Sequence, residues 1–103
     1  MTRLGDDVVH SFTTGRKSGV GTTAVPLVTA VRPLTRGLQL RAAATNTGTV
    51  YVGASSAVTA DAADATDGFP LAAGEGLLVK VDDASKVYLI ASAASQKVFY
   101  LAV

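Results

Sequence analysis

The sequence predicts an all-β fold, a small antiparallel β-sandwich or barrel, and three observations carry that reading. Seven short runs rich in β-branched and aromatic residues are separated by Gly, Pro, Asn and Asp. Pro26 and Pro33 stop any helix through residues 20–40, because proline lacks a backbone N–H and its ring clashes with the preceding turn. Several runs alternate apolar and polar residues, the period of a strand with one face on a core. With 103 residues the chain has the length of one domain, and folding at this size buries roughly two thirds of the surface the unfolded chain exposes.

Residues 1–19 differ from the rest. They are polar and carry Gly and the basic groups Arg3, Arg16 and Lys17, with scattered apolar side chains at Leu4, Val8, Val9 and Phe12. Such a segment buries too little apolar surface to order itself, so it reads as an extended N-terminal arm ahead of a β domain spanning residues 20–103. A short edge strand over residues 8–13 is the alternative. Strands are then expected at residues 20–25, 27–31, 38–43, 49–52, 77–81, 87–92 and 98–103. Pro26 suggests an edge or a bulge, since its nitrogen cannot donate to a ladder. Asn46-Thr47-Gly48, and Gly74 and Gly76 on either side of Glu75, supply residues tolerant of positive φ at tight connections.

Alternation assigns faces. Leu38, Leu40 and Ala42 oppose Gln39 and Arg41, and Leu77, Val79 and Val81 oppose Leu78 and Lys80. The last two strands are apolar on both sides: Val87, Leu89 and Ala91 against Tyr88 and Ile90, and Phe99, Leu101 and Val103 against Val98, Tyr100 and Ala102. A strand of a small antiparallel domain meets the core with one face, so the second apolar face implies cover from the arm, a loop or another subunit. Residues 54–67, almost entirely Ala, Ser, Thr and Asp, offer little for a helix to pack with and read as an exposed excursion.

Composition narrows the function classes. Nine basic against eight acidic residues give a formal charge of +1, too small for binding driven by phosphate neutralisation, so no nucleic-acid partner is expected. Cysteine is absent, which removes disulfides and thiolate metal sites and suits a reducing compartment. The segment MTRLGDDVVHSF lacks the apolar stretch of a signal peptide, and no segment approaches the roughly 20 apolar residues of a membrane helix. The composition is compatible with a bacterial cytosol, and no membrane partner is expected.

The candidate chemical motifs weaken on inspection. Gly19-Val20-Gly21-Thr22-Thr23-Ala24 fits a relaxed dinucleotide fingerprint, but Pro26 interrupts the helix that a pyrophosphate would need. Gly15-Arg16-Lys17-Ser18-Gly19 has Walker-like composition without the Walker spacing, and reads as a flexible basic turn. Asp61, Asp64 and Asp67 recur every third residue, whereas an EF-hand loop places its ligands at alternate positions and ends in a distant Glu. Asp82 and Asp83 read as a turn pair. His10 is the only histidine, so a multi-imidazole zinc site is impossible and a catalytic relay would pass through the arm. Ser55 and Ser56 lack the closing Gly of a nucleophile elbow. Tyr51, Phe69, Tyr88, Phe99 and Tyr100 offer rings for stacking, yet the strand positions equally suit packing. No enzyme, cofactor or metal is expected.

One pattern points elsewhere. Gly37-Leu38-Gln39-Leu40-Arg41-Ala42, Asn46-Thr47-Gly48-Thr49-Val50-Tyr51-Val52-Gly53, Gly68-Phe69-Pro70-Leu71 with Gly74-Glu75, and Lys86-Val87-Tyr88-Leu89-Ile90-Ala91 follow one another in order. This block, over roughly residues 37–103, resembles small virion proteins of tailed phages, the capsid decoration (cement) and head-fibre-like proteins. The resemblance implies a β-sandwich or jelly-roll-like body that binds the capsid exterior, partners the major capsid protein and forms a homo-oligomer, commonly a trimer. On that reading Leu4, Val8, Val9, Phe12, Arg16 and Lys17 are the expected capsid contacts, and Tyr88, Ile90, Val98 and Tyr100 the expected subunit interface. The rival is a receptor- or carbohydrate-binding module of a tail fibre, which requires an exposed aromatic or polar groove.

Overall fold

The computed structural model describes residues 12–60 and 67–103 of the chain. Leu4, Val8, Val9 and His10 lie outside the described residues, as do Asp61 and Asp64. Eight strands are present among the described residues: β1 (Thr13–Val20), β2 (Val25–Pro26), β3 (Leu38–Ala42), β4 (Val50–Gly53), β5 (Phe69–Leu71), β6 (Gly76–Val79), β7 (Tyr88–Ala91) and β8 (Gln96–Ala102). The one helical element among these residues is a single 3-10 turn at Ala84–Lys86.

The strands form two antiparallel four-stranded sheets, ordered β1-β8-β3-β6 and β2-β7-β4-β5. Strand 1 pairs with 8, 2 with 7, 3 with 6 and 4 with 5. That is the pairing of a long ribbon folded at its middle and rolled so that its two halves face each other, a jelly roll. The sequence-predicted all-β sandwich is therefore the observed fold, with a definite topology.

Side-chain alternation builds the core between the sheets. From the first sheet, Leu38, Leu40, Val98 and Ala102 point inward; from the second, Val50, Val52, Leu71, Leu89 and Ala91 meet them, with Leu27 and Val87 closing the ends. Full burial of each aliphatic side chain of this size contributes about 1.5 to 3 kcal/mol relative to exposure. The faces assigned from alternation in β3 hold: Leu38, Leu40 and Ala42 are buried while Gln39 and Arg41 are exposed.

Three connections explain the register. Between Lys17 and Val20 the pairing of β1 with β8 gains a residue, and Gly19 sits there at φ +69°, a bulge whose left-handed residue costs least as glycine. The dinucleotide-like run thus spans a bulge and a turn into the second sheet, with no helix after it. Gly37 enters β3 at φ +119° where a β-carbon would lie 2.8 Å from the Val79 carbonyl oxygen. The 46–48 loop uses a different device from the one its sequence suggests: neither Asn46 nor Gly48 has positive φ. Gln96 instead holds it from below. Its Oε1 accepts from the N–H groups of Thr47 and Gly48, both at 2.9 Å, and its Nε2 donates to the Ala94 carbonyl at 2.6 Å and to Thr47 Oγ1 at 3.1 Å.

The structure corrects several expectations. Residues 13–19 are no part of a free arm: they form β1, hydrogen-bonded along β8 as an edge strand. Arg16 and Lys17 accordingly sit in a sheet, where Arg16 pairs with Phe99 and Lys17 with Val98. Removing residues 1–17 would strip most of β1 and so test the sheet rather than an arm. Residues 21–24 form a turn, leaving only the ends of the expected 20–25 strand in ladders. Residues 27–31 hold no strand, although Leu27 anchors them in the core. Strand β5 was not expected, because Phe69-Pro70-Leu71 is too short and proline-interrupted to signal one; it lies at a sheet edge, where Pro70 is tolerated.

The polar 82–86 corner fixes the crossing from β6 to β7. The backbone N–H groups of Ser85 and Arg32 and the Ser85 hydroxyl donate to Asp83 Oδ1, which holds the Asp83 carboxyl below its ordinary value. Lys86 donates to Asp82 at 2.8 Å; that bond lowers the Asp82 carboxyl and raises the lysine. The two acids do form the turn pair their sequence suggested, with Asp83 capping the 3-10 turn.

Candidate docking surface

The two outer faces of the sandwich differ, and the difference locates the candidate site. On the second sheet, Tyr51 and Ile90 point outward but are buried, together with Val58 from the excursion after β4; Ala24, Ala60 and Tyr88 complete the cluster. Two glycines allow this cover to sit close. A β-carbon at Gly53 would overlap the Val58 side chain, and one at Gly68 would come within 2.7 Å of Tyr51 Cβ. The excursion is thus partly a lid, and Val58 is the residue in it that the Ala/Ser/Thr/Asp composition conceals.

The outer face of the first sheet has no such cover among the described residues. Two cross-strand rows run over it. One reads Arg16, Phe99, Arg41 and Gly76 across β1, β8, β3 and β6; the next reads Thr14, Leu101, Gln39 and Leu78. Phe99 is 44% exposed and Leu78 60% exposed. A shallow groove of about 500 Å³ lies over these rows, lined by Arg16, Gln39, Arg41, Phe99 and Leu101 among others. Directly opposed residues in neighbouring strands have Cβ atoms about 5 Å apart, so Phe99 stands in its row between Arg16 and Arg41, and Arg16 Nε donates to Ser18 Oγ at 3.1 Å.

The sequence-predicted subunit interface is accordingly redrawn. Val98 is fully buried in the core and Ile90 is buried in the lid cluster, so neither has a face left for a partner. Tyr100 points inward and half-packs on the core, its ring lying where a β-carbon on Gly15 would be. Tyr88 is half-buried beneath the excursion. The apolar residues of β8 that remain outside are Phe99 and Leu101, on the side of the strand opposite to Val98 and Tyr100. Of the expected capsid contacts, Phe12 is 62% exposed just ahead of β1, Arg16 lies on the bare face, and Lys17 has the inward parity of its edge strand.

A second concavity opens at one end of the sandwich, about 700 Å³, between β4 and β5 on one side and the residues after β6 on the other. Val52, Val79, Val81 and Val87 line it, with Phe69, Tyr88, Ser55, Ser56, Asp67 and Lys86 at its rim. The five candidate stacking rings do not form one platform: Tyr51 is buried, and Phe69 and Phe99 lie on different sheets. Asp67 is engaged locally, accepting from the Thr59 N–H and hydroxyl at 3.1 and 3.2 Å. Among the described residues no three His, Cys, Asp or Glu side chains gather in a way that could hold a metal ion.

Comparison of the chain with protein-family models, curated proteins and solved structures gives no match.

Proposed function

We propose that this chain is a structural virion protein of a tailed phage, a decoration or cement protein that binds the outside of the capsid and stabilises it. The observation that carries the reading is the bare outer face of the β1-β8-β3-β6 sheet, where Phe99 and Leu78 remain exposed and Leu101 is half-buried beside them while the opposite outer face is covered by the chain itself. An exposed apolar surface on a small domain calls for a partner. The resemblance over residues 37–103 implies the major capsid protein as that partner. Cementing is then linkage: a clamp that binds only assembled shell stabilises the shell by its own binding free energy. Homotrimerisation and residence on the virion, after synthesis in the host cytoplasm, belong to the same proposal.

The test is co-sedimentation of the purified chain with phage heads lacking it, followed by heating. The proposal expects saturable binding and heads that release their DNA at a higher temperature. Heads that neither bind the chain nor gain heat resistance would remove it. One observation favours a second reading, a carbohydrate-binding module of a tail fibre: the end cleft pairs the rings of Phe69 and Tyr88 with polar groups, a combination that suits sugars. Retention on host-surface glycans that Phe69→Ala abolishes, without head binding, would decide for it.

A further inference from the structure

We infer that the outer face of the β1-β8-β3-β6 sheet docks an acidic protein surface, in which two carboxylates about 10 Å apart flank an apolar side chain that packs on Phe99. This deepens the proposed function and rests on it for the identity of the partner, but its chemistry stands on the sheet alone.

Charge is the first ground. The four strands of this sheet carry Arg16, Arg41 and Lys97 on the outer side, Lys17 with the inward parity of its edge strand, and no acidic residue, and Lys80 follows β6 directly. The chain as a whole is nearly neutral at +1, so this is a segregation of charge and not a general excess. The acidic residues described, Asp67, Glu75, Asp82 and Asp83, all lie in connections between strands. All four are already engaged within the chain: Asp67 by Thr59, Glu75 by the Ala72 N–H at 2.7 Å, Asp82 by Lys86, and Asp83 by Ser85 and the Arg32 N–H.

Geometry is the second. Arg16 and Arg41 occupy the same row on either side of Phe99, and strands two apart in a sheet are about 10 Å from each other. Guanidinium groups take carboxylates in paired hydrogen bonds, and the aromatic residue between them offers the apolar contact that centres a protein interface. The spacing therefore asks for an acid, an apolar residue and an acid. A second copy of this chain does not supply that: the face carries no acidic residue, and a two-fold axis through this row would set arginines against arginines. Duplex nucleic acid would meet the cations but leave Phe99, Leu101 and Leu78 against a polar backbone.

The test is an amide chemical-shift titration of the full chain with an eight-residue peptide carrying Glu-Phe-Leu-Glu at its centre. Saturable shifts confined to the neighbourhood of Arg16, Phe99 and Arg41 are expected. The double variant Arg16→Glu/Arg41→Glu should weaken binding about tenfold or more, and raising salt from 0.05 to 0.5 M should weaken it in the wild type as the Debye length shortens. Phe99→Ser, a substitution on the exposed side of the strand, should weaken binding by a similar factor while leaving the amide spectrum folded. Equal binding by the double variant, equal binding of the peptide with Lys in place of Glu, or stronger binding of duplex DNA would overturn the inference. So would contacts between Phe99 and residues 1–11 in the free chain, or shifts on this face that grow with protein concentration alone. Heads separate this from the proposed function: binding of wild type and double variant alike sinks the inference only, whereas peptide selectivity without head binding sinks the proposed function only.

Discussion

Gln96→Ala destabilises the domain by about 2 to 4 kcal/mol, lowering the midpoint of thermal unfolding by roughly 10 to 25 °C for a chain of this size. Gln96 is 1% exposed, the one polar side chain in the core among the described residues. It satisfies the Thr47 and Gly48 N–H groups and the Ala94 carbonyl at once. It thereby ties the β3–β4 connection to the β7–β8 connection. Alanine leaves a cavity and strands these backbone groups, each worth about 1 to 3 kcal/mol where water cannot reach it. The isosteric Gln96→Glu separates the polar contribution from packing. Its carboxylate still accepts both N–H groups but faces the Ala94 carbonyl without a proton to donate. That variant should regain stability as the pH falls and the carboxyl protonates, because the protonated oxygen again donates. Urea unfolding at pH 7 and pH 4 checks both variants; an alanine cost below about 0.5 kcal/mol would show that the loop does not depend on this residue.

Leu89→Ala costs about 2 to 5 kcal/mol, a large fraction of the 5 to 15 kcal/mol that holds a domain together. Leu89 is fully buried in β7, between Val25 of β2 and Val52 of β4, so truncation opens a cavity at the centre of the second sheet. Its neighbour Ile90 faces the other way, into the small cluster with Tyr51 and Val58, where the excursion can settle after a truncation. Ile90→Ala should cost less than half as much. Comparing the two by urea unfolding tests the face assignment in β7 directly, and equal losses would contradict it.

What the sequence disclosed follows from where the physics is local. β3 was legible because Leu38, Gln39, Leu40, Arg41 and Ala42 alternate cleanly, and each residue's burial follows its own parity. The strands around Val50, Leu89 and Val98 were legible from their β-branched and aromatic content. β1 was not, because Thr13 to Gly19 is polar and its order comes from pairing with β8 some eighty residues away, a contact with no trace in local composition. β5 was hidden by Pro70, and residues 27–31 looked like a strand although only Leu27 is buried in the core, with Val28 packed partly against it.

The site was half legible. That β7 and β8 each carry a surplus apolar face was visible in sequence; which of those faces stays bare was not. The answer depends on Val58, a single valine in an Ala-rich stretch that covers Tyr51 and Ile90, and on the parity that turns Val98 and Tyr100 inward and Phe99 and Leu101 outward. The role of Gln96 was not legible either, since a glutamine beside Lys97 reads as surface and its four hydrogen bonds are made to distant or backbone groups.

The most direct measurement of the central claim is a reconstruction of the intact particle at a resolution that places individual strands. The account predicts density for this chain outside the capsid shell, with the β1-β8-β3-β6 face turned toward the shell and Phe99 against a capsid subunit. Density at the tail, or on the head with that face turned to solvent, would contradict it.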